Sequence, residues 1–300
     1  MRRLLLPILL ASCFLFQAHA FDVEVDGIYY GLFGKKWAYV THCGEWTMEE
    51  VQGAAYSGEV VIPEQISYNG YTYPVLSVGE NAFAGCEELT SVCLPSSVRA
   101  VSGCAFLGCT NLRQVSLPAN IRAFGSCSFT GCTSLEQISL PRQTEIIDTL
   151  TLYCCASLSS LALPHRIKKV CQGALEHLPA MTDLYCFAST PPDAEQGAFT
   201  LADQQRCTLH VPAAAVHLYQ ASPLWSNFYQ IVALDDDDYL GYGYRRGDIN
   251  ADGKVDAEDL ALLQRLIVRK PTDAHVLWAA DINGDDVVNA QDYVLLAKEL

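Results

Sequence analysis

Beyond its first 20 residues the chain has no apolar run approaching the roughly 18 residues that a membrane-spanning helix needs. Positive charge is also scarce, with 19 Lys and Arg against 34 Asp and Glu. That balance argues against nucleic acid or an anionic membrane as partner and suits the binding of hard cations. Familiar catalytic motifs are missing: there is no H-E-x-x-H, no G-x-S-x-G and no P-loop. His42, His165, His177, His210, His217 and His275 are scattered, and the 13 cysteines show no C-x-x-C or zinc-type spacing. Two carboxylates far apart in sequence can still serve a hydrolase, but the repeats described next leave little room for one, so no catalysis is expected. What the chain does have is apolar residues, half of its 300, enough to bury cores in two ordinary domains.

The first 20 residues have the form of an export leader: Arg2 and Arg3, the run LLLPILL, then the small residues of Ala18-His19-Ala20. Cleavage there leaves 17 basic against 34 acidic residues. Leu10-Ala11-Ser12-Cys13 also fits a lipobox, with acylation of Cys13 as the less favoured alternative. The expected location is outside the cell or at its surface.

A strict period of 23 residues organises the next part. Phe83, Phe106 and Phe129 form a row that Leu152 and Leu175 continue; Cys86, Cys109, Cys132 and Cys155 form a second; Leu89, Leu112, Leu135, Leu158 and Met181 form a third. Leu94, Leu117, Leu140 and Leu163 each precede a proline. Within a unit such as Leu112-Arg113-Gln114-Val115-Ser116-Leu117, Val115 and Leu117 fall on one side of a strand, because side chains alternate. One unit cannot bury its apolar side alone, whereas stacked units share a continuous core. The pattern predicts a mainly β leucine-rich-repeat solenoid with one short strand per turn. Its outward strand positions, Ser91/Cys93, Gln114/Ser116, Gln137/Ser139, Ser160/Ala162 and Asp183/Tyr185, are small and polar, and either form a face for a protein or glycan ligand or stay an inert solvated sheet. The Cys86 row reads as core packing. Cys104 and Cys127 share a register that flanks no obvious core position, and are the best candidate for a disulfide between neighbouring turns.

These units, with the form AF-x-G-C-x-x-L-x-x-φ-x-L-P, resemble the BspA-type leucine-rich repeat family of secreted bacterial proteins. The flanks VEVDGIYYGLF and YSGEVVIPEQISYNGYTYPV resemble that family's N-terminal strand cap, with a hairpin turn at Asn69-Gly70. The segment LHVPAAAVHLYQASPLWSNFYQI resembles its closing segment. The resemblance covers about 21–234, and its pattern degrades at Tyr153-Cys154 and at Cys186, where the solenoid is expected to end. The organisation implied is a leader over 1–20, a β cap over 21–80, repeats over 81–186 and a closing cap over 187–234. Residues 235–247, DDDDYLGYGYRRG, change composition abruptly; mutually repelling aspartates followed by glycines predict an exposed linker.

The remaining residues, 248–300, carry one twelve-residue pattern twice, 33 positions apart: DINADGKVDAED from Asp248 and DINGDDVVNAQD from Asp281. The spacing is that of an EF-hand-type calcium loop. Asp248, Asn250, Asp252, Asp256 and Asp259 supply side-chain oxygens, Lys254 its carbonyl, and Gly253 the sharp turn at position 6. The second copy offers Asp281, Asn283, Asp285, Asn289 and Asp292 with the Val287 carbonyl. Asp286 stands there in place of glycine, so two Ca2+ ions are expected, the second held more weakly. Apolar residues repeat at the same offset: Ile249 with Ile282, Val255 with Val288, Leu260 with Tyr293 and Leu263 with Leu296. Two loop-plus-helix units with matched faces can pack as a pseudo-twofold pair.

This duplicated pattern, with a helix after each loop and Asp at position 12, resembles a type I dockerin, a small all-α calcium-binding domain. Such domains plug their host into a scaffold or cell-surface complex by binding a cohesin module. In that family the contact residues include loop positions 10 and 11 and basic helix residues, here Ala257, Glu258, Arg265 and Arg269 in copy one and Ala290, Gln291 and Lys298 in copy two. Glu258 and Gln291 depart from the Ser or Thr often found there. The chain is therefore expected to be a secreted, non-catalytic binding protein tethered by calcium. Two other readings stay open: a surface adhesin whose tail is only a structural calcium module, and a hydrolase carried on a polysaccharide-degrading scaffold.

Overall fold

The computed structural model describes residues 21–42, 56–121, 124–268, 274–285 and 287–300. The leader, with Cys13, and Asp286 and Arg269 lie outside these. The chain divides into two compact units. The first comprises the described residues up to Leu161 with Lys168–Met181 and Asp193–Asp203; the second comprises Ala162–Ile167, Thr182–Pro192 and Gln204–Leu300.

In the first unit the hairpin Ile28–Phe33/Trp37–Thr41 joins a second hairpin, Gln65–Tyr68/Tyr71–Val78, through the parallel pairing of Trp37–Thr41 with Tyr71–Val78. Its turn is Asn69-Gly70, both at positive φ (49° and 75°), as the sequence predicts. The repeats then stack. Gly58–Val61, Leu89–Cys93 and Gln114–Ser116 pair in parallel, and a bridge from Gln114 to Gln137 continues the row.

The expectation of one strand per turn is corrected: each turn makes a second, shorter strand. Ala100–Val101 pairs with Tyr71–Val78, and Ile146–Ile147, Lys169–Val170 and Asp193–Ala194 form a parallel sheet of their own. The reason is a further apolar row at the same period. Val101, Phe124, Ile147 and Val170 are all buried, and β-branched and aromatic residues suit a half-buried pleated surface.

Between the two strand rows lies the phenylalanine column. Phe83, Phe106 and Phe129 are fully buried and stack almost parallel, with centroids 5.0 and 5.1 Å apart. Their amides donate to carbonyls one turn on (Phe106 N to Ser128 O, 2.8 Å; Phe129 N to Thr151 O, 2.9 Å). The cysteine row packs beside them, its thiols donating back one turn: Cys109 to Phe83 O at 3.0 Å and Cys132 to Phe106 O at 3.2 Å. Burial pushes the Cys109 and Cys132 thiols well above their usual range, so these are packing groups rather than nucleophiles. Each turn also needs two left-handed residues. Gly85, Gly108 and Gly131 fill one register at φ 70–73°, and Cys154 and His177 take it over at φ 60°. Asn81, Cys104, Cys127 and Leu150 fill the other at φ 54–60°. Cys104 and Cys127 are thus not peripheral: each is 1% exposed, at a tight corner of the coil.

In the second unit the parallel ladder runs past the point where the repeat pattern fades. Asp183–Cys186 pairs with Thr208–Val211, which pairs with Gln230–Ala233. Trp225 and Tyr219 fill the space behind, the indole N–H donating to Pro192 O at 2.9 Å and the phenol to Ala188 O at 3.0 Å.

Residues 235–247 are not the exposed linker that their composition predicts. Asp235 caps a helix, Asp236–Gly241, through a reciprocal capping box with Asp238. Acidic residues are favourable in a first helical turn, where they face unpaired amides and the positive dipole end. Tyr239 and Tyr244 are buried with Phe187 and Leu234, and Tyr239 stacks on Trp278 at 4.3 Å. Three further helices follow, Ala257–Val268, Ala274–Ala280 and Ala290–Glu299. Their core is Ile249, Leu263, Ala279, Ala280 and Leu296, with Val255, Leu260, Ile282, Val288 and Tyr293 packed around it, so all four matched apolar pairs belong to one core. Gly247, at φ 91°, closes this core: a Cβ there would lie 2.9 Å from Val255 Cγ1 and 3.0 Å from Leu296 Cδ1.

Two expectations follow. Phe106→Ala should destabilise the chain by about 3–5 kcal/mol in urea unfolding, the cost of a large cavity that stacked turns cannot close, whereas Gln114→Ala on the exposed strand face should stay within about 0.5 kcal/mol. Gly247→Ala combines a left-handed backbone with a crowded Cβ and should cost about 1–3 kcal/mol in the melting of the C-terminal unit.

Candidate functional site

The first twelve-residue loop is held by side-chain oxygens that accept its backbone amides. Asp248 Oδ1 accepts from Asp252 N at 3.0 Å and Oδ2 from Gly253 N at 3.1 Å. Asn250 Oδ1 accepts from Asp252 N (2.9 Å), Asp252 Oδ1 from Lys254 N (2.9 Å) and Asp256 Oδ1 from Glu258 N (2.8 Å). Each of these three closes a turn by bonding the amide two residues on, as Asn and Asp readily do. Asp259 ties the loop's two ends: Oδ1 accepts from Ile249 N (2.8 Å) and Asn250 N (3.1 Å), and Oδ2 from Asp256 N (3.0 Å). Left-handed residues stand at position 6, where Gly253 has φ 90°, and at position 4, where Ala251 has φ 57°. The second of these is not visible in the motif.

The second loop repeats the arrangement. Asp292 Oδ1 accepts from Ile282 N (2.9 Å) and Asn283 N (3.3 Å), and Oδ2 from Asn289 N (2.8 Å). Asp285 Oδ1 accepts from Val287 N and Asn283 Oδ1 from Asp285 N. Asp281 Oδ1 accepts from Gly284 N (2.9 Å) and Asp285 N (3.1 Å). Gly284 now takes the left-handed place at position 4 (φ 73°). Asn289 caps the following helix in a capping box with Asp292 and donates to Val287 O at 2.9 Å.

In both loops the residues at positions 1 and 12 are buried: Asp248, Asp259 and Asp292 at 0% exposure and Asp281 at 4%. Position 5 is exposed in both loops, and position 3 is exposed in the second and half-buried in the first. Every side-chain donor atom is oxygen, and the charge is anionic. That set fits a hard cation such as Ca2+, which takes six to eight oxygens in flexible geometry. Among the described residues no group of three or more His, Cys, Asp or Glu side chains is gathered closely enough to hold an ion. The carboxylates are turned toward backbone amides, and the asparagine and carbonyl oxygens complete the set in sequence.

Beside the second loop sits a group that motif reading does not find. The Arg246 guanidinium donates to Trp278 O (3.3 Å) and to Asp281 O, lies 3.3 Å from Asp281 Oδ2, and pairs with Asp236 at 3.0 and 3.2 Å. The Trp278 indole N–H donates to the same Asp236 at 2.8 Å. That indole and the guanidinium hold the Asp236 carboxyl below its usual range. The only sequence signal is a basic pair, Arg245-Arg246, in a strongly acidic stretch.

The residues named for partner contact sit on the surface: Ala257, Glu258 and Arg265 on the first loop's helix, Ala290, Gln291 and Lys298 on the second. Val294, Leu295 and Leu300 are exposed apolar residues near the latter. A helix, Ala274–Ala280, precedes the second loop, whereas the first has none directly before it. On the first unit's strand face Cys93, Gln114, Ser116, Gln137 and Ser139 are exposed, as expected. In the second unit Tyr185 is stacked on His210 at 4.2 Å, with His210 Nε2 2.9 Å from Asp183 Oδ1. No helix among the described residues is long and apolar enough to cross a membrane.

Comparison with known proteins bears on both regions. A family model described as BspA type leucine rich repeat region matches residues 65–189 in six copies, and the dockerin type I domain model matches residues 246–300. No curated protein matches the chain. Among solved structures, a leucine rich repeat protein of T. pallidum is 25% identical, the match covering 72% of this chain and 83% of that one with a TM-score of 0.48. A leucine rich cell surface protein from Faecalibacterium prausnitzii is 18% identical, covering 74% and 52%, with a TM-score of 0.45. A leucine-rich repeat protein from Bacteroides ovatus is 20% identical, covering 75% and 70%, with a TM-score of 0.33. The two matched families are interaction modules rather than enzymes. Residues 65–189 are therefore a BspA type leucine rich repeat region, and residues 246–300 are a type I dockerin domain.

Proposed function

We propose that this chain is a secreted, non-catalytic binding protein whose repeat region presents a surface to a protein or glycan and whose dockerin plugs it into a cohesin-bearing scaffold or cell-surface complex. The observation that carries this reading is the duplicated loop, in which buried carboxylates at positions 1 and 12 hold the chain ends of an all-oxygen donor set. Asp248, Asn250, Asp252, Asp256 and Asp259 with the Lys254 carbonyl would hold one Ca2+ ion. Asp281, Asn283, Asp285, Asn289 and Asp292 with the Val287 carbonyl would hold a second. The ion supplies positive charge at the centre of each acidic loop and so fixes the direction in which the following helix leaves. The protein's own residues do the rest: the position-12 aspartates tie each loop to its helix, and the matched apolar pairs lock the two helices together. Docking then depends on calcium because the helix face carrying Ala257, Glu258, Arg265, Ala290, Gln291 and Lys298 is rigid only when both loops are closed. Arg269 belongs to the same proposed contact set.

If calcium organises the tail, adding it to the metal-free full chain should raise the stability of the C-terminal unit by about 2.7 kcal/mol once free calcium reaches about a hundred times the Kd. Thermal melts with and without a chelator measure this, and Asp248→Ala should remove most of the gain. The docking claim is checked by capture on immobilised cohesin modules. Binding is expected in calcium, lost in chelator, and weakened at least about tenfold by Arg265→Glu with the calcium titration unchanged, in the manner of an interface charge. Capture that is indifferent to calcium, or absent for every cohesin tried while calcium still stabilises the chain, favours an adhesin with a purely structural tail.

A further inference from the structure

The two loops are alike in their amide bonds but differ in electrostatics. The first draws on four aspartates, Asp248, Asp252, Asp256 and Asp259. The second has Asn289 at position 9, leaving Asp281, Asp285 and Asp292 among its donors. Its position-1 carboxylate has an arginine against it. Arg246 Nη1 lies 3.3 Å from Asp281 Oδ2 and donates to the backbone carbonyls of Asp281 and Trp278. Nη2 pairs with both oxygens of Asp236, on the first turn of the helix Asp236–Gly241. Asp236 in turn accepts from the Trp278 indole, and the guanidinium sits 5.2 Å over that ring. Tyr239, from the same helix, stacks on the same indole at 4.3 Å. The guanidinium is only a quarter exposed, and the Asp281 carboxylate 6%, so their interaction is screened far less than a surface pair.

We propose that Arg246 is a counter-cation built into the second loop, with which a divalent ion must compete for Asp281, so that occupancy of this loop and seating of the helix Asp236–Gly241 are linked. This rests on the reading of the loops as calcium sites. Loop affinity follows the number and charge of its donors. A fixed guanidinium charge beside one of three carboxylates offsets much of that carboxylate's pull on the ion. Arg246, rather than the missing glycine at position 6 alone, therefore makes the second site the weaker one. Linkage is reciprocal: whatever the ion loses to the Arg246–Asp281 contact, that contact loses to the ion by the same factor, whereas the Arg246–Asp236 pair offsets the guanidinium charge and favours the ion. Calcium at the second loop would take Asp281 from Arg246, leave the guanidinium charge to Asp236, and so tighten the hold of this helix on Arg246. The dockerin would thereby report its metal state to the segment that precedes it.

The test is calorimetric titration of the metal-free full chain with calcium, in the wild type and three variants. Arg246→Gln should tighten the weaker transition by about five- to tenfold and leave the tighter one in place. Arg246→Lys, which keeps the charge, should behave like the wild type. Asp236→Asn leaves the guanidinium charge uncompensated and should weaken the same transition further, a change opposite in sign to Arg246→Gln that loss of fold does not produce. A weaker transition that Arg246→Gln leaves unmoved, or that Asp236→Asn tightens, overturns the proposal while leaving the calcium reading intact. Absence of any binding heat in the wild type overturns both.

Discussion

Four buried aspartates, Asp248, Asp259, Asp281 and Asp292, set the terms on which the C-terminal region exists. Removing an ionised carboxylate from water is expensive unless it is hydrogen-bonded and its charge is balanced. Here the first condition is met by the backbone: each position-12 aspartate takes three amides. The second condition needs a cation. Beside the second loop Arg246 stands against Asp281. Folding, metal binding and the direction of two helices are thus parts of a single electrostatic balance.

The repeat region solves a different problem by different means. Its turns are held by period rather than by charge. An aromatic column, a thiol row and a leucine row recur every 23 residues and stack at about 5 Å. Left-handed corners at each turn allow the coil to close, and glycine is used for one of them until Cys154 and His177 take its place. The result is a rigid core behind a polar strand face.

Much of this was legible in the sequence, because periodic burial leaves a periodic trace. The Phe83, Cys86 and Leu89 rows, the Asn69-Gly70 hairpin and the two twelve-residue loops all express local rules. The second strand of each turn was harder to see, since a two-residue strand carries too little alternation to stand out from its neighbours. Residues 235–247 were misread for a physical reason. Four adjacent aspartates suggest repulsion and solvent, yet at a helix N-terminus they are favourable, and the tyrosines that follow supply the burial. Ala251 and Arg246 were invisible for another: a left-handed alanine and an ion pair spanning 35 residues depend on tertiary contact, which no spacing rule records.

The most direct measurement of the central claim is amide hydrogen exchange at Ile249, Asn250, Ile282 and Asn283, the four amides held by the Oδ1 atoms of Asp259 and Asp292, in the metal-free and calcium-saturated full chain. If ion cages close the loops, exchange at all four slows by at least about a hundredfold on saturation, as expected when an opening that releases the ion becomes the exchange route. Equal exchange rates in the two states would contradict it, because the loops would then be closed by the chain alone.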